Sequence, residues 1–205
     1  MVAVDDLSTN RPASDAPSNT VALDERVRIP KGGANVAALL RIGLGLLYLW
    51  AFFAQGFGIV YSNSTTKADG SVEYGWHFDY DSSKGWISSG FQHSPTEPYV
   101  GGAHGPLAFV SQELPTGVDD FGWMFAIGGL GFALTLGIAM RIAGWGGLAL
   151  NLLLWFSAFP PSSNPVLDGE HMAFGLSILL LMYLHAGNHW GLGRWWNTHA
   201  PNFLH

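Results

Sequence analysis

Residues 36 to 61 read VAALLRIGLGLLYLWAFFAQGFGIVY, and the reading of this stretch decides the fold. From 42 to 60 it contains no charged residue, close to the ~20 apolar residues that cross a ~30 Å hydrocarbon core. Three further runs repeat the pattern, at 121–140, 142–167 and, counting histidine as neutral, 172–193. The four runs together predict an all-α membrane protein, a four-transmembrane-helix bundle. The expected helices cover about 36–61, 120–140, 143–159, and 168 to between 187 and 191. The third is expected to stop at Pro160-Pro161, where the missing amide protons end a helix.

Working outward, composition supports the same class. Of 205 residues, 48% are hydrophobic and 12% charged, about half the charged share of a soluble domain. The net charge of −6 argues against nucleic acid as a partner. The chain has no cysteine, which excludes disulfides, thiol relays, iron–sulfur clusters and covalently attached haem.

Residues 1–35 are rich in Ser, Asp, Pro and Ala and are expected to be a disordered cytoplasmic tail. Residues 36–196 form the expected membrane domain, and 197–205 a short C-terminal cytoplasmic tail. Between the first two helices lies a long extracytoplasmic insert, 62–119. Its first half is polar and suits a solvated hairpin or short loop structure. Its second half carries Trp86, Ile87, Phe91, Tyr99, Leu107 and Phe109, too apolar to float in water. It is expected to fold over the outer rim, with a short helix near 106–114, and to roof a pocket.

The basic residues set the orientation. Arg26, Arg28, Lys31 and Arg41 flank the first helix start, Arg141 lies between the second and third, and Arg194 follows the fourth. The positive-inside rule then places both termini in the cytoplasm. The expected location is a bacterial plasma membrane, crossed several times, with the lipid bilayer as partner. Small residues at Gly129, Ala133 and Gly137, and at Ala143, Gly147 and Asn151, recur every four positions and are expected to be the surfaces where helices approach closely.

Two stretches carry a family resemblance. "LRIGLGLLYLWAFFAQGFG" resembles the opening of DoxX-type membrane proteins, and "NPVLDGEHMAFGLSILLLMYLHAGNHWGLGRWW" resembles their last helix. The long insert with "GPLAFV" is similar to the DoxD branch, the large subunit of thiosulfate:quinone oxidoreductase. The resemblance implies an integral membrane subunit of a quinone-linked oxidoreductase, with quinone bound near the outer face. One departure is Gln55, where a basic residue is expected near the end of the first helix.

The candidate site residues follow from these elements. Asp168 and Glu170 suit a helix start, as an N-cap and as a charge favoured by the helix dipole. A second reading makes His171 the proton acceptor for a quinone or quinol, since imidazole titrates near neutral pH, with Asp168 orienting it. Both readings stand open at this stage. Gln55 lies at the level of His171, and Trp123 falls in the outer aromatic belt. Together Gln55, His171 and Trp123 are the candidates for holding the quinone. Asn151 reads as glue between helices. Arg41 either snorkels to headgroups or pairs internally with a lipid phosphate, a carbonyl or the chain's own carboxyl terminus.

No metal and no haem are expected. His185 and His189 have an i, i+4 spacing but no third ligand in sequence. The first three runs contain no histidine for bis-histidine ligation. An alternative function is a non-catalytic accessory or assembly subunit of a larger respiratory or electron-transfer complex, with other membrane-protein subunits as partners.

Overall fold

A computed structural model of the chain describes residues 30–161 and 170–201. Of the expected disordered tail, 1–35, residues 1–29 lie outside the described residues, as does the candidate Asp168, while 31–35 form the first turn of a helix. The elements in chain order are α1 (Lys31–Phe57), β1 (Ile59–Thr66), β2 (Val72–Tyr80), α2 (Glu97–Gly102), α3 (Ala108–Gln112), α4 (Thr116–Leu136), α5 (Met140–Ser157), α6 (His171–Tyr183) and α7 (Gly193–His199). Short 3-10 turns lie at Ser82–Lys84 and Ala186–Asn188.

The expected all-α, four-span bundle is overturned. The chain contains a two-stranded antiparallel sheet, β1 paired with β2. Among the described residues, α1 is the one helix both long and apolar enough to cross a membrane. At 13 residues, α6 is about 20 Å long, short of a ~30 Å core. The expectation equated charge-free runs with spans. In the folded chain α4 takes in Asp119 and Asp120 at its start, α5 takes in Arg141 and Asn151, and glycines dilute both.

The end of α1 shows why the opening stretch misleads. Gly58 adopts φ 72° and closes the helix, its amide donating to the Ala54 carbonyl. A Cβ at Gly58 would sit 2.0 Å from the Asp81 carbonyl oxygen, so glycine is required on steric as well as dihedral grounds. The next residues, Ile59-Val60-Tyr61, leave the apolar run and open β1. Hydropathy is continuous across this point; backbone direction is not.

The helices pack as two antiparallel pairs, α1 with α4 and α5 with α6. Glycines set the first seam: a Cβ on Gly45 would meet Thr135, one on Gly131 would meet Leu49, and one on Gly128 would meet Phe52. In the second pair Gly144 faces Met182, Gly147 faces Ile178, and Gly175 faces Asn151. The expected stripe on α5 therefore lies in a helix contact. The expected stripe on α4 is displaced: Gly129 has open space above it, while Gly128 and Gly131 make the close approach. The spacing was legible, but the seam lies one residue off it.

The core forms where the pairs meet, around Leu44, Leu130, Leu134, Ile178 and Leu181. A smaller cluster of Trp86, Met124 and Ile127 continues it toward the insert. Tyr48 and Leu150 pack against both clusters.

Arg41 sits at the other end with no exposed surface. Its Nη1 donates to the Leu134 carbonyl, and to that of Thr135 at 3.0 Å. Its Nη2 donates to the carbonyls of His189 at 3.3 Å and Trp190 at 3.0 Å. Of the pairings open in the sequence, the carbonyl is the one formed. The guanidinium closes the C-terminal end of α4, where the last carbonyls lack helical partners and the dipole favours a cation.

Candidate functional site

The insert reaches its place through the end of α1. The last carbonyls of that helix are satisfied from the segment after the hairpin: Trp86 N–H donates to Gln55 O at 2.8 Å and Ile87 N–H to Gly56 O at 2.8 Å. Further on, Asp120 of α4 is buried and holds the chain before α2. It accepts from Ser94 Oγ at 2.7 Å, Thr96 Oγ1 at 2.6 Å and Thr96 N–H at 3.3 Å. A buried carboxylate with several donors is well satisfied, and here it fixes the entry of α2 so that Tyr99 projects over the helices.

Beneath Tyr99 lies a cavity of about 260 Å³, lined among others by Tyr48, Trp123, Asn151, Glu170, His171 and Phe174. Of the four residues proposed from the sequence, His171 and Trp123 line this cavity directly. Gln55 stands behind the wall: its Oε1 accepts from the Trp123 indole N–H at 2.6 Å, and its Nε2 donates to the Tyr99 hydroxyl at 3.4 Å. The Tyr99 and Trp123 rings lie 4.8 Å apart. Gln55 thereby fixes both aromatic walls, and a basic residue there would offer the indole no acceptor. Asp168 falls outside the described residues. Glu170, expected in the first turn, is the N-cap residue of α6 and makes no side-chain cap hydrogen bond.

Sequence reasoning missed two members. Tyr48 sits mid-run in α1, where an aromatic reads as lipid-facing, yet its hydroxyl accepts from Asn151 Nδ2 at 2.8 Å. Asn151 also donates to the Gly147 carbonyl at 2.7 Å. It links α5 to α1, as its place among small residues suggested, and presents the Tyr48 hydroxyl to the cavity. Tyr99 was read only as part of the apolar half of the insert; its pairing with Gln55 depends on an approach 44 residues along the chain.

A second cavity of about 70 Å³ adjoins this wall, lined by Asp119, Thr96, Tyr99, Trp123, Leu154 and Ser157 among others. Burial raises the Asp119 carboxyl above its ordinary range; the Thr96 hydroxyl opposes the shift and the Asp120 charge adds to it. A carboxyl held toward its neutral form can donate a proton.

Compared with protein-family models, curated proteins and solved structures, the chain matches none. The functional reading therefore rests on the cavity and on the residues around it. Among the described residues no group of three or more His, Asp or Glu side chains is placed to hold a metal ion.

Chemically, the main cavity combines flat aromatic walls with a few polar groups at its edge. That composition is typical of small-molecule sites, and about 260 Å³ lies near the lower end of their size range of ~300 Å³ upward.

Proposed function

We propose that this chain is a DoxD-like membrane subunit of a quinone-linked oxidoreductase that binds a quinone headgroup beneath Tyr99. The observation that carries the reading is the shared cavity of His171, Tyr48, Trp123 and Tyr99. Aromatic faces stack on a planar ring, and the Tyr48 hydroxyl and the His171 imidazole supply hydrogen bonds for carbonyl oxygens. A quinone, when bound, takes up two electrons and two protons. The chain's part is to hold the ring, keep water out, and offer protons from His171 and, through the adjoining cavity, Asp119. Lacking cysteine, the chain supplies no thiol relay; its electron donor is a partner or the substrate itself.

Membrane embedding belongs to the same proposal. It is supported by α1 and by large apolar side chains left exposed on other helices, among them Phe121, Phe125, Ile142, Trp145, Leu176 and Leu180. Large apolar side chains exposed in this number suit contact with lipid or protein. The proposed orientation places Lys31 and the start of α1 on the cytoplasmic side of a bacterial plasma membrane.

The test is quinone reduction with thiosulfate by the intact complex, beside binding of a short-chain benzoquinone by the purified chain. Replacement of His171 by Ala should lower reduction at least tenfold, while Tyr48→Phe and Trp123→Leu should weaken binding. Unchanged binding in all three variants would remove the cavity from the mechanism.

A second reading has its own observation. A groove of about 320 Å³ between α4 and α5 is lined by small and apolar residues, including Ala126, Gly129, Ala133 and Gly146. Such a surface admits a helix of another subunit, and so favours an accessory or assembly role. Stable stoichiometric co-purification, lost on Gly129→Phe, would support it.

A further inference from the structure

The β1–β2 hairpin has two unlike faces. Because side chains alternate along a strand, Trp76, Phe78 and Tyr80 share one face of β2 and His77 and Asp79 the other, up to the register shift between Ser62 and Ser64 that interrupts the alternation toward the tip. The aromatic face is open: Trp76 is 82% exposed and Tyr80 62% exposed. A two-stranded hairpin alone is marginally stable in water, so this face needs something to cover it.

Its neighbour indicates the cover. Trp50 of α1 meets Tyr61 of β1 at 6.3 Å and Phe78 of β2 at 6.2 Å, and Tyr61 meets Trp76 at 6.0 Å. Trp50 lies about 10 Å back from the end of α1, so the hairpin folds down beside the last two turns of that helix. Its aromatic face continues the exposed face of α1 that carries Leu46, Trp50 and Phe53.

We propose that the hairpin lies in the headgroup layer of the membrane, with its Trp76–Phe78–Tyr80 face toward lipid and its His77–Asp79 face toward water. This rests on the reading that α1 crosses the bilayer. Two features fix the depth. The outer edges of an isolated two-stranded sheet leave amides and carbonyls without strand partners, which hydrocarbon does not tolerate. The face also mixes Tyr and Trp with Phe, the composition of the membrane–water boundary, where a ring is apolar at one end and polar at the other. The Lys67–Glu73 pair near the tip, 3.3 Å apart and half exposed, belongs on the wet side.

The chain contains no cysteine, so single-cysteine variants label at one place only. Spin labels at Trp76→Cys, Tyr80→Cys, His77→Cys, Asp79→Cys and, on α1, Leu46→Cys are compared in the full chain reconstituted in phosphatidylcholine–phosphatidylglycerol vesicles. Collision rates are measured with oxygen, which concentrates in lipid, and with a water-soluble nickel chelate. Labels at 76 and 80 should favour oxygen at least threefold over those at 77 and 79. Equal nickel access on both faces overturns the proposal. Shielding of 76 and 80 from both reagents also overturns it, and would identify a protein, or a second copy, as the cover. If the label at 46 is itself open to nickel, the membrane reading of α1 fails and the proposal falls with it; if 46 favours oxygen while 76 and 80 do not, the hairpin proposal alone fails.

Discussion

Replacing Gly131 with alanine, and separately Gly129, tests the seam that holds the candidate site together. The two residues are two positions apart on α4, yet their surroundings are opposite. A Cβ at 131 would stand 2.8 Å from the backbone nitrogen of Leu49 and 3.0 Å from two of its side-chain carbons. Because a backbone atom cannot rotate away, α1 and α4 must separate by several tenths of an ångström. Overpacking of this kind costs about 1–3 kcal/mol. A Cβ at 129 meets nothing within 4 Å, so that variant gains only the helix-propensity difference, at most about 1 kcal/mol. Gly131→Ala gains the same propensity term, so the two proteins should differ by the overpacking cost alone, about 1–3 kcal/mol. For a chain of this size 1 kcal/mol corresponds to about 2–4 °C in Tm, so Gly131→Ala should melt about 2–12 °C below Gly129→Ala. Thermal unfolding followed by circular dichroism in mild detergent reads this directly. Because the seam runs on to Gln55 and Trp123, Gly131→Ala should also weaken benzoquinone binding. If Gly129→Ala proves the more destabilised, the register of α1 on α4 is wrong and the cavity geometry with it.

Two other perturbations have defined signs. Arg41→Met removes every donor that the guanidinium gives to the four carbonyls; with about 1–3 kcal/mol for each buried group left unsatisfied, soluble or detergent-stable yield should collapse, and Arg41→Lys, with three donors on a point charge, should recover only part of it. Asp119 has a raised folded-state value, so its contribution to stability is fully present below the ordinary carboxylate value and is lost as pH rises through the folded one. Asp119→Asn should therefore be no less stable than the parent at pH 7 and relatively less stable near pH 3. A parent that gains relative to the variant as pH rises would contradict this assignment.

Much of the helical content was legible because charge-free runs and glycine spacing are local properties. The three long runs around α1, α4 and α5 and the short helix at Ala108–Gln112 lie close to where the sequence put them. The expected span count failed because hydropathy does not register where a helix ends. Gly58 ends α1 by conformation, in the middle of an apolar run, and the Ile-Val-Tyr that follows has as much strand propensity as membrane character. The site divided in the same way. His171 and Gln55 stood out as polar residues beside apolar runs. Tyr48 carried no local signal, since only its partner Asn151 on another helix distinguishes it from a lipid-facing aromatic.

The close approach of Gly58 to Gly85 has a consequence for how this chain can change. A Cβ on Gly85 would lie 2.4 Å from the Gly58 nitrogen, so the chain leaves the helical body and returns to it at nearly the same point. Everything from 59 to 84 is a cassette on a closed base. Such a cassette can be lengthened, shortened or exchanged while the helices keep their places, because the entropy of closing it grows only with the logarithm of its length. The glycine pair is the constant part. Chains of this architecture are expected to keep two glycines at the base while the residues between them drift, so that what the protein meets outside its helices can be altered without disturbing the cavity within.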